Sequence, residues 1–204
     1  DLICTPECSN ILTNDKKHLF NNTTFQSNCP LMKMSKIFAK ENKININLGS
    51  LLLKIKGKKK LVNRSILINQ YGKIQSIYDK INLFDVSINS YENHNESKIF
   101  IKGNKIKLSK IKGINIGHSI CYDLRFPHLY RKLAKKGAQI ILIPSAFTVP
   151  TGKAHWETLI RARAIENSIF IVATNMCGTH HSNRKTYGHS MLFDPWGNLE
   201  NKCL

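Results

Sequence analysis

The chain has 204 residues, 42% hydrophobic and 22% charged, which suits a single α/β unit with a sizeable core; no run of 18 apolar residues occurs, so no membrane-spanning helix is expected. Lys and Arg number 31 against 13 Asp and Glu, a net +18 that favours polyanions, but the lysines are spread along nearly the whole chain. The one compact basic run, "KIKGKKK" at 54–60, has no interleaved aromatics and sits where a hairpin turn falls, so it reads as a solvated loop and nucleic acid is not expected as a partner.

Residues 1–6, "DLICTP", read as a short apolar strand ended by proline, with Glu7 just beyond it. Residues 11–29 are Asn-rich and read as surface loop or ragged helix. Apolar residues at 31, 34, 37 and 38 predict a helix over 30–43, with proline at its start. "ININLGSLLLKI" alternates as a strand, and two more strands, 64–69 and 74–78, flank a "YGK" turn. After a polar, irregular stretch at 86–98, "KIKLSKIKGINIGHSIC" reads as a hairpin whose second strand is 114–120. "RFPHLYRKLAKK" predicts a helix closed by Gly137. "AQIILIPSAF" reads as a strand buried on both faces, "AHWETLIRARAIENS" as a second helix opened by His155 and Trp156, and "IFIVATNM" and "YGHSMLFD" as strands before a "PWGN" turn. Strands alternating with helices from about residue 114 to 175 imply α/β layering with mixed sheets.

The six cysteines, at 4, 8, 29, 121, 177 and 203, form no CxxC pair, which favours free thiols in a reducing, cytoplasmic or mitochondrial setting. "CGTHH" offers Cys177, His180 and His181 but no fourth ligand, so no metal is expected there. Cys121 ends an apolar strand just before a helix. The helix N-terminus and its free N–H groups would stabilise a thiolate there, although most free cysteines are merely small buried hydrophobes. Glu7 and Lys80 also lie just past strand ends. If those strands are parallel neighbours of 114–120, a base, a cation and a nucleophile gather at one carboxyl edge of a sheet, although read singly each is as well explained by a salt bridge or a surface lysine. Arg125, four residues on and on a helix beginning near Asp123, would return to the same face.

"CTPE", "YDKINLFDV", "CYDLRFP", "PSAFTVPTGKAHWETLIRARAIEN" and "YGHSMLFDPWG", in this order, resemble the carbon–nitrogen hydrolase (nitrilase) superfamily over nearly the whole chain, and within it the Nit-type amidases. The resemblance implies an αββα sandwich, forming one domain over 1–204 that reads as lacking the family's first strand and helix and its last strands. It implies a Glu7–Lys80–Cys121 triad, with Glu96 of "NESK" as a second glutamate, the Tyr122 N–H as an oxyanion donor, and no cofactor. It implies covalent hydrolysis of a small carboxylate-bearing α-keto acid amide, deaminated glutathione in the first place and α-ketoglutaramate as the alternative, with release of ammonia. Arg125 then pairs with the substrate carboxylate, Thr151 in the loop after "PSAFTVP" adds a hydroxyl, and Phe147 walls the pocket. A homodimer through a helical face is implied as well. Two histidines depart from the pattern: His128 after "RFP", and His118, which by alternation faces away from Cys121 and is structural. From a different class, the +18 charge leaves open a non-catalytic scaffold that binds polyanions.

Overall fold

Strand β1 (Leu2–Cys4) is stopped by Pro6, and the chain passes through helix α1 (Lys16–Asn22) and a 3-10 turn (Gln26–Asn28), so the 11–29 stretch is partly helical. The computed structural model describes residues 1–87 and 93–203. Helix α2 (Pro30–Asn42) carries proline in its first turn and ends at Lys43, which takes the left-handed C-cap conformation at φ 54°. Its buried Met32 and Ala39 pack on β2 (Asn45–Lys54) and β3 (Leu61–Ile68). With β4 (Ile74–Asp79) these strands form a sheet of order β1-β2-β3-β4, parallel only between β1 and β2.

The apolar pattern of β2 changes parity midway. Ile46 and Leu48, then Leu51 and Leu53, all join the α2 cluster, and the β2–β3 register shifts between Leu48 and Leu51. The extra residue is a β-bulge at Gly49 and Ser50. A Cβ on Gly49 would stand 1.8 Å from the Thr5 carbonyl oxygen, so only glycine admits the β1 loop here. Ser50 then ties that loop down: its Oγ accepts from the Cys8 N–H at 3.0 Å and its own N–H donates to the Pro6 carbonyl at 3.2 Å. Glu7 lies between these two anchors.

A small hairpin, β5 (Asp85–Ser87) with β6 (Asn93–Asn95), and a 3-10 turn (Glu96–Lys98) follow; residues 88–92 of the stretch read as irregular lie outside the described residues. β7 (Leu108–Ile111) and β8 (Ile114–His118) form the expected hairpin. A 3-10 turn (Cys121–Arg125), α3 (Pro127–Lys135), β9 (Ile140–Leu142), α4 (Val149–Asn167), β10 (Phe170–Ala173), β11 (Cys177–Thr179), β12 (Lys185–Tyr187), β13 (Ser190–Phe193) and β14 (Leu199–Cys203) complete the chain. The second sheet has the order β14-β13-β10-β9-β8-β7, with β8, β9 and β10 parallel and linked through α3 and α4. Leu133 of α3 and Trp156 and Ile160 of α4 are buried against Ile141, Ile171 and Phe193 of that sheet. Each such aliphatic side chain contributes about 1.5–3 kcal/mol on leaving water. The result is the αββα layering that the resemblance implied.

Several boundaries differ from the sequence reading. The first of the two helices begins at Pro127, not at Arg125. α4 begins at Val149, so "VPTGK" is helix and not loop, and Thr151 lies in its first turn. "AQIILIPSAF" forms a regular strand over Ile140–Leu142 and then bonds toward β10 at Ile143 and Ser145, skipping Pro144, which has no N–H to donate. The "YGHSMLFD" strand is broken into β12 and β13 by left-handed Gly188 and His189. β14, pairing with β13, was not read from the sequence at all.

Candidate active site

Glu7, Lys80 and Cys121 do converge, but not as neighbours in one sheet. β1 and β4 are the two outer strands of the first sheet; they run in the same direction, so Glu7 and Lys80 leave its same end. Cys121 follows β8 of the second sheet. The two layers meet over these three residues.

Glu7 is 3% exposed and Lys80 1%. The Lys80 ammonium donates to Glu7 Oε1 at 3.0 Å and to both oxygens of Glu96, at 3.1 and 2.9 Å. Asn63 Nδ2 donates to the same Glu7 oxygen at 2.8 Å, and the Phe84 N–H to Glu96 Oε2 at 2.8 Å. Burial opposes ionisation of Lys80, but the Glu7 and Glu96 charges prevail and hold its pKa well above 10.5. Burial likewise works against the Glu7 carboxylate; the Lys80 charge and the hydrogen bonds from Cys121, Lys80 and Asn63 outweigh it and keep its pKa below 4.5.

Cys121 takes a left-handed conformation, φ 47°, immediately after the extended Ile120. For a side-chain-bearing residue this costs about 1–3 kcal/mol, and such strain is found at sites that need a side chain presented at a sharp corner. Two features hold the corner. The Cys121 N–H donates to the Pro144 carbonyl at 2.9 Å. Asp123, fully buried, accepts from the Ile120 N–H at 2.9 Å, from the Tyr78 hydroxyl at 2.6 Å, and from the backbone and side-chain N–H groups of Asn82 at 2.9 and 2.8 Å. One carboxylate thereby joins the turn at Cys121 to the end of β4 and the loop after Lys80.

The helix-dipole expectation for the thiol does not hold. Cys121 begins a five-residue 3-10 turn, and α3 starts only at Pro127. Burial raises the thiol pKa well above 9.0, and the adjacent Glu7 charge adds to this against the pull of Lys80. At rest the group is a thiol beside the Glu7 carboxylate.

The predicted residues line one narrow pocket of about 20 Å³ between the sheets: Glu7, Lys80, Cys121, Glu96, Tyr122, Arg125, Phe147 and Thr151 all border it. Tyr122 occupies the first turn of the 3-10 helix, where N–H groups have no partner within the helix. Arg125 reaches the pocket from the end of that turn, not from an α-helix. Its guanidinium lies 5.8 Å from the Phe147 ring centroid and 6.0 Å from that of Tyr122, and Nη2 is 3.2 Å from His155 Nδ1. Thr151 Oγ1 is engaged with Thr148 Oγ1 at 2.9 Å. Trp156 packs under Phe147, ring centroids 4.7 Å apart. His118 is buried on Ser109, Nε2 to Oγ 2.8 Å, and burial first, then Lys107, lower its pKa to about 4; neither it nor the exposed His128 borders the pocket. His180 and His181 are bonded to Thr186 and Thr13.

Sequence reasoning missed four contributors. Asp123 was visible inside "CYDLRFP" but read only as a helix start. Asn63 is a polar residue on the inward face of an apolar strand, a signal hidden by the abundance of asparagine. Phe84 and Arg184 also border the pocket, and nothing local marks Arg184 in "HSNRK".

Comparison with known proteins adds the following. The family description "Carbon-nitrogen hydrolase" matches residues 1–203. The "Deaminated glutathione amidase" of Dictyostelium discoideum is 40% identical over 98% of this chain and 70% of its own length. The protein of the same name from Mus musculus is 43% identical over 71% of this chain, a match that covers only 45% of the mouse protein. Among solved structures, the C. elegans NitFhit protein superposes with a TM-score of 0.92 at 36% identity, over 100% of this chain and 50% of that one. Saccharomyces cerevisiae Nit3, described as a member of branch 10 of the nitrilase superfamily, gives 0.86 at 28% identity, over 100% and 72%. The chain thus spans between about half and three quarters of the relatives it matches.

Proposed function

Because the chain belongs to the carbon–nitrogen hydrolase family, we propose that it is an amidase that forms a thioester on Cys121, with deaminated glutathione as substrate. The reading is carried by the buried convergence of Glu7, Lys80 and Cys121, and the substrate is suggested by the names of the relatives.

The chemistry follows from the protonation states. Glu7 takes the thiol proton as the sulfur adds to the amide carbonyl. The oxyanion forms beside the Lys80 ammonium and the Tyr122 N–H; one such donor is worth roughly 3–4 kcal/mol. Glu96, bound to Lys80 through both oxygens, holds that ammonium in position. Collapse breaks the C–N bond, and Glu7 returns its proton to the departing nitrogen. Glu7 then deprotonates a water that adds to the thioester, and the thiolate leaves and recovers the proton. The site residues accomplish this without a metal or organic cofactor.

The leaving group expected from the sequence needs correction. Deaminated glutathione bears its keto group where the glutamyl amine was, so its scissile nitrogen belongs to cysteinylglycine, and ammonia leaves only from primary amides such as α-ketoglutaramate. The assay is therefore release of 2-oxoglutarate and cysteinylglycine by the full-length protein. Cys121→Ala is expected to lower it to background; turnover that survives the substitution would remove Cys121 as nucleophile.

The chain pairs with a second copy over the α4 side of the sandwich. Ile165 and Trp196, 51% and 83% exposed, support this, since Gly197, next to Trp196, packs on Ile165. Equilibrium sedimentation at the monomer mass alone would argue against it.

A further inference from the structure

Arg184 borders two spaces at once. One is the catalytic pocket; the other is a cavity of about 340 Å³ that shares Glu7, Glu96 and Phe84 with it. Among the described residues, no carboxylate pairs with Arg184. Its Nε is buried without a hydrogen-bond partner, and its one side-chain bond is a long one, Nη1 to Asn14 Oδ1 at 3.3 Å. A guanidinium left with unused donors at a cavity wall is fitted to accept a planar anion through two parallel bonds.

The rest of the cavity agrees in sign. Lys16 and Lys98 border it, and the two carboxylates in its wall, Glu7 and Glu96, are both answered by Lys80. Counted with Lys80, four cations face two carboxylates. Asn14, Asn93 and Asn95 add polar groups, and Leu12, Leu19 and Phe100 an apolar side. The volume lies at the lower end of the range for small-ligand sites, about 300–1,000 Å³, whereas the catalytic pocket has room for little beyond the reacting group.

The two arginines of the catalytic pocket differ in their surroundings. Arg125 is set against Tyr122, Phe147 and His155; Arg184 opens toward the cavity. We infer that Arg184 is the binding residue for a carboxylate on the amine half of the substrate, with the leaving peptide lying in the 340 Å³ cavity and Lys16 and Lys98 at its wall. This rests on the amidase reading and deepens it. The preferred substrates are amides flanked by a carboxylate on each side, the acyl one meeting Arg125 and the amine-side one meeting Arg184.

The test compares deaminated glutathione with the same compound whose glycine carboxylate is converted to the amide. The wild-type protein is expected to favour the free acid in kcat/KM by about tenfold or more, chiefly through KM. Arg184→Gln is expected to erase the preference and Arg184→Lys to restore part of it. Because the comparison is a ratio within each variant, a merely structural role for Arg184 would lower both substrates alike and leave the ratio intact. A preference that persists in Arg184→Gln, or none in the wild type, overturns the inference while the amidase reading stands. If neither compound is hydrolysed, that reading fails, and calorimetric binding of both compounds to Cys121→Ala and to Cys121→Ala/Arg184→Gln decides the inference by itself. Equal affinity for acid and amide in the Cys121→Ala protein overturns it; a preference lost with Arg184 upholds it.

Discussion

Glu7→Gln is expected to lower kcat by about 10²–10⁴-fold with little change in the fold. Glutamine keeps an oxygen for Asn63 and Lys80, which meet Glu7 at 2.8 and 3.0 Å, but loses the ability to take a proton and the charge paired with Lys80, which Glu96 still answers. In the wild type, Glu7 must be ionised to act. Its carboxyl is held below 4.5 because the Lys80 charge and its hydrogen bonds overcome burial, so the acid limb of kcat/KM lies below that value. The alkaline limb lies above 9.0, since burial and Glu7 raise the Cys121 thiol past it and Lys80 is held above 10.5. Between these limits the profile is flat. The same shift has a stability counterpart. A carboxyl depressed by folding contributes stability that is present above its unfolded pKa and fades as the pH falls through the folded one. Activity and stability of the wild type should therefore decline together at the acid end, and Glu7→Gln should lack this component of the stability loss. An acid limb near neutrality, in the histidine range, would show that some group other than Glu7 is the base.

Lys80→Met is expected to be the most damaging single change to stability. It leaves the buried Glu7 and its neighbour Glu96 without their shared cation. Removing one partner of a buried pair costs about 3–5 kcal/mol. For a chain of this length that corresponds to a fall in Tm of roughly 6–20 °C. Methionine fills much of the space, so the loss reports charge more than volume. Lys80→Met/Glu7→Gln should recover part of the stability and none of the activity. A double variant no more stable than the single one would locate the damage in packing. In the wild type, the raised Lys80 pKa makes its ion-pair contribution fully present below the unfolded lysine value, to be lost only as the pH rises through the folded one, above 10.5.

The grouping of Glu7, Lys80 and Cys121 came from the family resemblance; what local pattern supplied was the strand ends that they follow, each read from residues close by in the chain. What lay beyond that reach was missed. Asn63 meets Glu7 across 56 positions, and Asp123 meets Tyr78 across 45. Nothing near either residue in the chain encodes those partners. The assignment of the triad to one sheet failed for the same reason: pairing between remote strands is settled by the whole fold. The bulge at Gly49 and Ser50 was hidden as well, because Leu51, Leu52 and Leu53 are all apolar and mask the change of parity. The start of α4 was obscured by "VPTGK", whose proline and glycine mimic a turn; Pro150 is tolerated in the helix's first turn, and Gly152 is required because a Cβ there would come within 2.2 Å of the Tyr187 ring.

The burial of Lys80 between the two layers separates two kinds of electrostatics. Ions in the surrounding medium damp a field over about 8 Å at physiological strength, and they act on the lysine-rich exterior. Behind two β-layers, the Lys80 ammonium is largely out of their reach. The outside of this protein is thus free to accumulate positive charge by sequence drift, as the +18 balance shows, while the buried Glu7 and Lys80 keep their own charges beside the sulfur.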